Sequence, residues 1–251
     1  MPGRDLGEAE RQKRRKINTI LIIISGVLLI AGVIFLLVEP YKAWKRSQIT
    51  GNAMNVIQSE MSAGNTEVTI VVPKEGNEVP GESMDYYGDE EVIVAMESIQ
   101  EQEGNSNGGG GSDDEVVLNC IGVLKIDAIG QELPVWDVAT KESLRYGFGL
   151  YEYSVLPGQN GNSTILGHHF KNGTAFAKLN KLQAGDEVIF TAIDGTVYTF
   201  TVDSSLVIPK EDLINYIDAS VSDIPQLTLV TCAYENGQST LRQIVICHLA
   251  Q

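Results

Sequence analysis

From Ile20 to Val38 the chain holds 19 consecutive residues without a charge, almost all Ile, Leu, Val, Ala or Gly, and no polar face interrupts them. At a rise of about 1.5 Å per residue, such a helix reaches across the hydrocarbon of a bilayer. A cleaved signal has a shorter apolar core and a small-residue cleavage site, whereas Glu39-Pro-Tyr-Lys-Ala-Trp44 follows here; an uncleaved signal-anchor helix over residues 17–38 is expected. Beyond Val116 the pattern changes to short apolar runs: Ile121–Ile126, Leu133–Trp136, Ser163–Leu166, Glu187–Ile193, Thr196–Val202, Gln226–Val230 and Leu241–Ile246. Their length and their Val, Ile, Thr and aromatic content predict strands, with hairpin turns at Asp194-Gly195 and Asn236-Gly237. Leu144–Leu150 predicts a helical turn. Thr174–Leu182, with Phe176, Leu179 and Leu182 at helical spacing, predicts a short amphipathic helix, and Pro209–Tyr216 a helix with proline in its first turn. Seven or so short strands with turns between them predict a mainly β domain that closes into a barrel.

Between these regions, Ser47 to Glu115 carries 15 Asp and Glu against the single basic Lys74 and closes on Asn107-Gly-Gly-Gly-Gly-Ser112. Such a composition buries too little apolar surface to offset the entropy of ordering, so a solvated stalk is expected. Two patches interrupt it, Val68–Val72 and Val92–Met96. Both are read as transient local structure in a linker, in preference to an extra strand or helix docked on the following domain or a cover over its groove. The organisation expected is therefore a basic tail (1–16), a transmembrane helix (17–38), an acidic Gly-rich spacer (39–115) and a folded, mainly β domain (116–251). The spacer is expected to be dispensable, with a fragment beginning near Ser112 folding by itself.

Charge sets the topology. Residues 1–16 carry six Lys or Arg and three Asp or Glu, and residues 39–46 carry three and one. The larger positive excess before the apolar run places the N-terminus in the cytoplasm and everything after Val38 outside. Tyr41 and Trp44 suit the outer headgroup level. A formal net charge of -15 argues against a nucleic-acid partner, which needs clustered cations. Three cysteines make neither a disulfide scaffold nor a four-ligand structural zinc site, and no metal site is expected. Cys120 and Cys247 are either a pair or two buried thiols.

Taken singly, Cys232 at the end of an apolar strand is most often a buried small hydrophobe, His168 a polar residue satisfied at a sheet edge, and Arg242 an edge charge. Jointly they lie at strand ends or beside strand-flanking loops, where one barrel rim can gather them. A thiol without a pairing partner beside a histidine is a candidate nucleophile.

Thr228-Leu-Val-Thr-Cys232, followed by Arg242-Gln-Ile-Val-Ile246, resembles the signature of sortases, the membrane-anchored cysteine transpeptidases of Gram-positive bacteria. Ile121–Ile126, Leu133–Trp136, Leu156-Pro-Gly158 and Ile165-Leu-Gly-His168 occur upstream in that family's order. The resemblance implies an eight-stranded sortase-type β-barrel with short helices, a catalytic set of His168, Cys232 and Arg242, and a substrate-binding position at Thr231. It also implies substrates bearing an LPXTG-like sorting signal and an amine acceptor, such as a peptidoglycan precursor or a pilin lysine. The protein would then sit in the plasma membrane as a single-pass protein, in contact with lipid through residues 17–38. No cofactor is implied; a calcium requirement is left open. Leu156-Pro-Gly158 and the Leu-Val-Thr-Cys form look like class A or D, while Lys171–Phe176 is similar to class B. His168 follows the strand-terminal glycine as the family histidine does, and His169 is expected to point elsewhere. Two other readings of the same residues are a membrane-tethered cysteine peptidase with water as acceptor and a non-catalytic β-barrel binding module.

Overall fold

The computed structural model describes residues 5–74, 115–170, 172–236 and 238–250, with the backbone alone for residues 5–14 and Glu39. The Val92–Met96 patch and the Gly-Ser run lie outside the described residues. The chain divides into two compact units, Met1–Lys45 and Arg46–Gln251.

The first unit is helical, part of the helix α1 (Asp5–Ser62). Its apolar run reaches a mean hydropathy of 3.2, and by length and composition it is the one helix among the described residues able to cross a membrane.

The second unit is built on strands: β1 (Val68–Pro73), β2 (Glu115–Ile126), β3 (Gln131–Trp136), β4 (Phe148–Leu150), β5 (Gly161–Leu166), β6 (Glu187–Ala192), β7 (Val197–Pro209), β8 (Pro225–Glu235) and β9 (Gln238–Leu249). They lie in the order β1-β2-β3-β4-β5-β8-β9-β7-β6, and β2 also pairs with β6. That pairing closes β2 to β9 into an eight-stranded barrel. Strands β3 and β4, and β5 and β8, run parallel; the other pairs are antiparallel. The barrel interior is filled from every one of those eight strands, by Leu124, Val135, Phe148, Ile165, Phe190, Phe200, Leu229 and Val245 among others. Closure leaves the barrel no free edge along these strands.

Both hairpin turns form where the sequence places them. Thr191 pairs with Val197 around Asp194-Gly195, with Gly195 at φ +85°. Glu235 pairs with Gln238, and Asn236 adopts φ +52°, the left-handed conformation that Asn tolerates at such a turn.

Several local expectations fail for identifiable reasons. Thr174–Leu182 is a series of tight turns with one 3-10 turn at Leu179–Lys181, not an amphipathic helix. Phe176, Leu179 and Leu182 still all reach the barrel interior, because a spacing of three also satisfies consecutive turns. Pro209 ends β7; a 3-10 turn (Lys210–Asp212) follows, then the one-turn helix α3 (Ile214–Ile217). The helical turn expected over Leu144–Leu150 is confined to α2 (Ser143–Tyr146), and Phe148–Leu150 is the short strand β4.

The largest correction concerns the spacer. Val68–Val72 is not transient linker structure: β1 pairs with β2 from Val68↔Cys120 to Pro73↔Glu115. It lies on the same side of β2 as β6, continuing the sheet where β6 ends, since β3 occupies the opposite side. The last turns of α1 cover this extension. Ile57, Val68, Val72, Leu118, Cys120, Val123, Trp136 and Tyr146 form one buried cluster, with Ile49, Met54 and Met61 packed against it. The Tyr146 hydroxyl donates to the Pro73 carbonyl at 2.9 Å, and the Thr50 hydroxyl to the Tyr146 carbonyl at 3.3 Å. None of the three cysteines is in a disulfide. Cys120 lies in this cluster and Cys247 in the barrel interior, so they are two separately buried thiols and not a pair.

Candidate active site

Strand register brings the predicted residues to one level. Cys232 on β8 is paired directly with Arg242 on β9. On the other side of β8, the parallel ladder with β5 ends at Leu166↔Val230, and the Gly167 N–H still donates to the Val230 carbonyl at 3.1 Å. Two residues beyond each member of that last pair stand His168 and Cys232.

Alternation decides which face they share. Ile165, Leu229 and Val245 point into the barrel. Their neighbours Leu166, Val230 and Ile244 therefore face outward, where they form a second cluster with Leu144, Tyr151, Ile208, Leu213 and Ile217. Cys232 and Arg242, each two residues from a member of that outer row within its own strand, belong to the outer face at the rim of the apolar platform, and His168 follows Leu166 by two residues just beyond the end of β5.

The platform is itself fastened by buried polar groups. The Asn162 amide donates to the carbonyls of Tyr216 (2.9 Å) and Asp218 (3.3 Å), and the Thr164 hydroxyl to that of Ile217 (2.8 Å). The Asn162 amide oxygen accepts in turn from Gln226 (3.1 Å) and the Thr228 hydroxyl (2.7 Å). A fully satisfied network of this kind fixes the chain around α3 against β5 and β8.

Gly167 is required by its surroundings. A Cβ there would stand 2.5 Å from a ring carbon of Phe176 and 2.8 Å from one of Phe148. Those two rings stack with centroids 4.1 Å apart beneath the strand. The chain carrying His168 thus lies directly on aromatic packing, and the Phe176 N–H donates to the His168 carbonyl at 3.0 Å.

All three side chains are buried, Cys232 to 1 %, Arg242 to 2 % and His168 to 4 % exposure. Exposure therefore does not separate Cys232 from Cys120 or Cys247; its neighbours do. Burial pushes the Cys120 thiol up to about 11 and that of Cys247 higher still, and neither has a cation or imidazole among its causes of shift. Cys232 has Arg242 as its partner residue across the ladder. A buried guanidinium is costly unless it is hydrogen-bonded. Arg242 Nη1 donates to the carbonyls of Leu241 (2.9 Å) and Ser239 (3.2 Å) and to the Ser239 hydroxyl (3.2 Å), which orients the planar group from the β8–β9 turn.

Thr231 does not join the set through its side chain. It alternates to the face opposite Cys232, and its hydroxyl oxygen is buried without a hydrogen-bond partner among the described residues. His169 does point away from His168, as expected, but it is not remote from the site. Its Nδ1 lies 3.1 Å from the Cys232 carbonyl, which only accepts, so the contact selects the Nδ1–H tautomer. Its ring meets Tyr234 edge-on at 5.5 Å. Phe170, unremarked in the sequence, places its ring 5.0 Å from that of His168. Among the described residues no group of three or more His, Cys, Asp or Glu is arranged to hold a metal ion.

The chain is similar to several known proteins. Sortase D of Bacillus subtilis (strain 168) is 28% identical over 111 residues, which are 44% of this chain and 53% of that protein; the chain spans about half the length of the curated relative it matches. Among solved structures, sortase E from Streptomyces avermitilis shares 30% identity over 53% of this chain and 88% of that one, with a TM-score of 0.45. The Clostridium perfringens sortase D5 transpeptidase shares 24% identity over 67% of this chain and 99% of that one, with a TM-score of 0.47. The sortase domain family model matches residues 124–250, half of the chain and nearly all of its barrel, and the chain belongs to the sortase family.

Proposed function

We propose that the protein is a membrane-anchored cysteine transpeptidase that cleaves an LPXTG-like sorting signal and passes the acyl group to an amine of the cell wall or of a pilin subunit. The observation that carries this reading is the register: Cys232 paired with Arg242, and His168 leaving the neighbouring parallel strand at the same level. An ordinary thiol is only a few per cent thiolate at neutral pH, so a nearby proton acceptor or cation raises its reactivity. Cys232 Sγ attacks the carbonyl carbon of the sorting-signal threonine. Arg242 stabilises the oxyanion of the tetrahedral adduct. His168 protonates the departing amine as the C–N bond breaks, leaving a thioester. The incoming amine then attacks the thioester and frees the thiol, so one amide replaces another. The sorting signal reaches the three residues at the rim of the outer apolar platform, beside the segment around α3. Thr231 contributes through its backbone at the head of the nucleophile.

The same reading places residues 17–38 in the plasma membrane, the basic N-terminus in the cytoplasm and the barrel outside. It draws on the apolar run and on the positive excess before it.

The test is turnover of a sorting-motif peptide by the full chain in detergent, with and without an added amine. Cys232→Ala should abolish both turnover and covalent trapping with the fold intact. His168→Ala should lower turnover by about two orders of magnitude or more, the scale of lost general-acid catalysis. Arg242→Lys, which keeps the charge and loses the planar fork, should also be strongly impaired. Hydrolysis at an unchanged rate and no amide product, at any amine concentration, would identify a peptidase instead.

A further inference from the structure

The second compact unit begins at Arg46, on the stretch of α1 that packs against the sheet. This side chain does not reach only for solvent. Its guanidinium carbon lies 4.5 Å from the centroid of the Phe170 ring, inside the range in which a cation is attracted to an aromatic face. Phe170 is in turn the ring neighbour of His168, at 5.0 Å and tilted by 55°. An unbroken row of contacts thus runs from the helix, through one phenyl ring, to the imidazole assigned above as general acid.

The local structure explains why such a support matters. His168 stands beyond the last residue of β5, where its backbone is held by the Phe176 N–H but ladder pairing with β8 has ended. Its imidazole direction therefore depends on packing. Phe170 lies in the loop that follows, is half-buried, and packs only at the margin of the barrel interior. It gains a second neighbour in Arg46. The arginine is itself placed from behind: Thr50, one turn along the same helix face, donates to the Tyr146 carbonyl, and Ile49 packs on the adjoining cluster.

We propose that Arg46 is a positioning residue for the transfer reaction, acting on the His168 imidazole through Phe170, so that the docked part of α1 belongs to the catalytic unit. This rests on the assignment of His168 as general acid. Its consequence is specific: the rate of the chemical step depends on a cation above the Phe170 ring, while binding of the sorting peptide does not.

The experiment measures kcat and KM of the full chain in detergent micelles for Arg46→Ala, Arg46→Met, Arg46→Lys, Phe170→Leu and the Arg46→Ala/Phe170→Leu pair. Arg46→Ala should lower kcat by about five- to tenfold, the scale of a partly desolvated cation–aromatic contact, with KM within about twofold of wild type. Arg46→Met, which keeps the apolar stem and loses the charge, should behave like Arg46→Ala, and Arg46→Lys should restore most of the rate. The pair should be no slower than Phe170→Leu alone, because both changes cut the same row of contacts. Wild-type kcat in Arg46→Ala, recovery by Met but not by Lys, or independent losses that multiply in the pair would each overturn the proposal. His168→Ala separates the two levels. If it abolishes turnover while Arg46→Ala matches wild type, only the role of Arg46 fails; if His168→Ala is itself active, the assignment of the acid fails and this inference with it.

Discussion

A thiol's surroundings decide its chemistry, and the three cysteines here occupy three different ones. Cys120 sits under β1 and α1, donates weakly to the Gly122 carbonyl at 3.2 Å, and is pushed from 9.0 to about 11 chiefly by burial. In the unfolded chain this thiol ionises from about pH 9, whereas the folded protein keeps its proton until about pH 11. The folded state then binds more protons across that window, so stability falls as pH rises through it, by roughly 3 kcal/mol from this group when the change is complete. Urea unfolding of Cys120→Ala should show a shallower loss between pH 9 and 11 than wild type. Parallel curves would mean that Cys120 titrates alike in both states. At this scale the sequence pointed to candidate reacting groups and said little about their supports. Cys232 and Arg242 pair across β8 and β9 and His168 lies just beyond β5, a juxtaposition that the sequence signals mainly through its family-like motifs. Thr231, which the resemblance implies as a substrate-binding position, alternates to the face opposite Cys232, so its side chain is not on the side of the nucleophile. His169 and Phe170 gave no signal, since their contacts depend on how the loop after β5 turns.

Among the elements, the strands were the most legible, because period-two patterning and two turn dipeptides survive any tertiary context. Short helices were the least legible. Apolar residues three apart at Phe176, Leu179 and Leu182 fit a helix and a chain of tight turns equally well. The helix end and β1 were hidden by averaging: an acidic count over residues 47–115 conceals Ile49, Ala53, Ile57 and Met61, spaced by four on one helix face, and the buried pair Val68 and Val72. This changes the expectation for truncation. A fragment that begins at Ser112 uncovers Leu118, Val123, Trp136 and Tyr146 and deletes three fully or nearly fully buried side chains, Ile57, Val68 and Val72. At about 1.5–3 kcal/mol for each large apolar side chain, the loss is on the order of 5 kcal/mol, comparable with the whole stability of many domains. Unfolding of the Arg46 and Ser112 fragments in urea should therefore show a much lower midpoint for the shorter one, together with exposure of Trp136 fluorescence to quenchers. Equal midpoints would mean that α1 and β1 lie on the sheet without stabilising it.

At the scale of the whole molecule, closure of the barrel is the feature least visible in the pattern, because β2 meets β6 and β5 meets β8 across long stretches of chain that no local signal connects. Topology in the membrane is the opposite case, since it is written almost entirely in composition. Six Lys or Arg precede the apolar run within residues 1–16, and the barrel side carries the acidic excess of residues 47–115. Positive charge close to a span resists translocation far more than negative charge does, so the proposed orientation keeps the first segment in the cytoplasm and the barrel outside. A reaction that joins exported substrates to wall amines requires that side, which ties the orientation to the proposed function. An epitope at the C-terminus should accordingly be removed by protease added to intact protoplasts, while an epitope at the N-terminus should survive until the membrane is permeabilised. The reverse pattern would place the barrel in the cytoplasm, and loss of both epitopes from membranes before any protease is added would show that the apolar helix does not anchor the chain. Neutralising Lys13, Arg14, Arg15 and Lys16 together tests the cause directly. If the flank sets the orientation, a fraction of molecules should invert and protect the C-terminal epitope; an unchanged pattern would assign the orientation to the exported part of the chain.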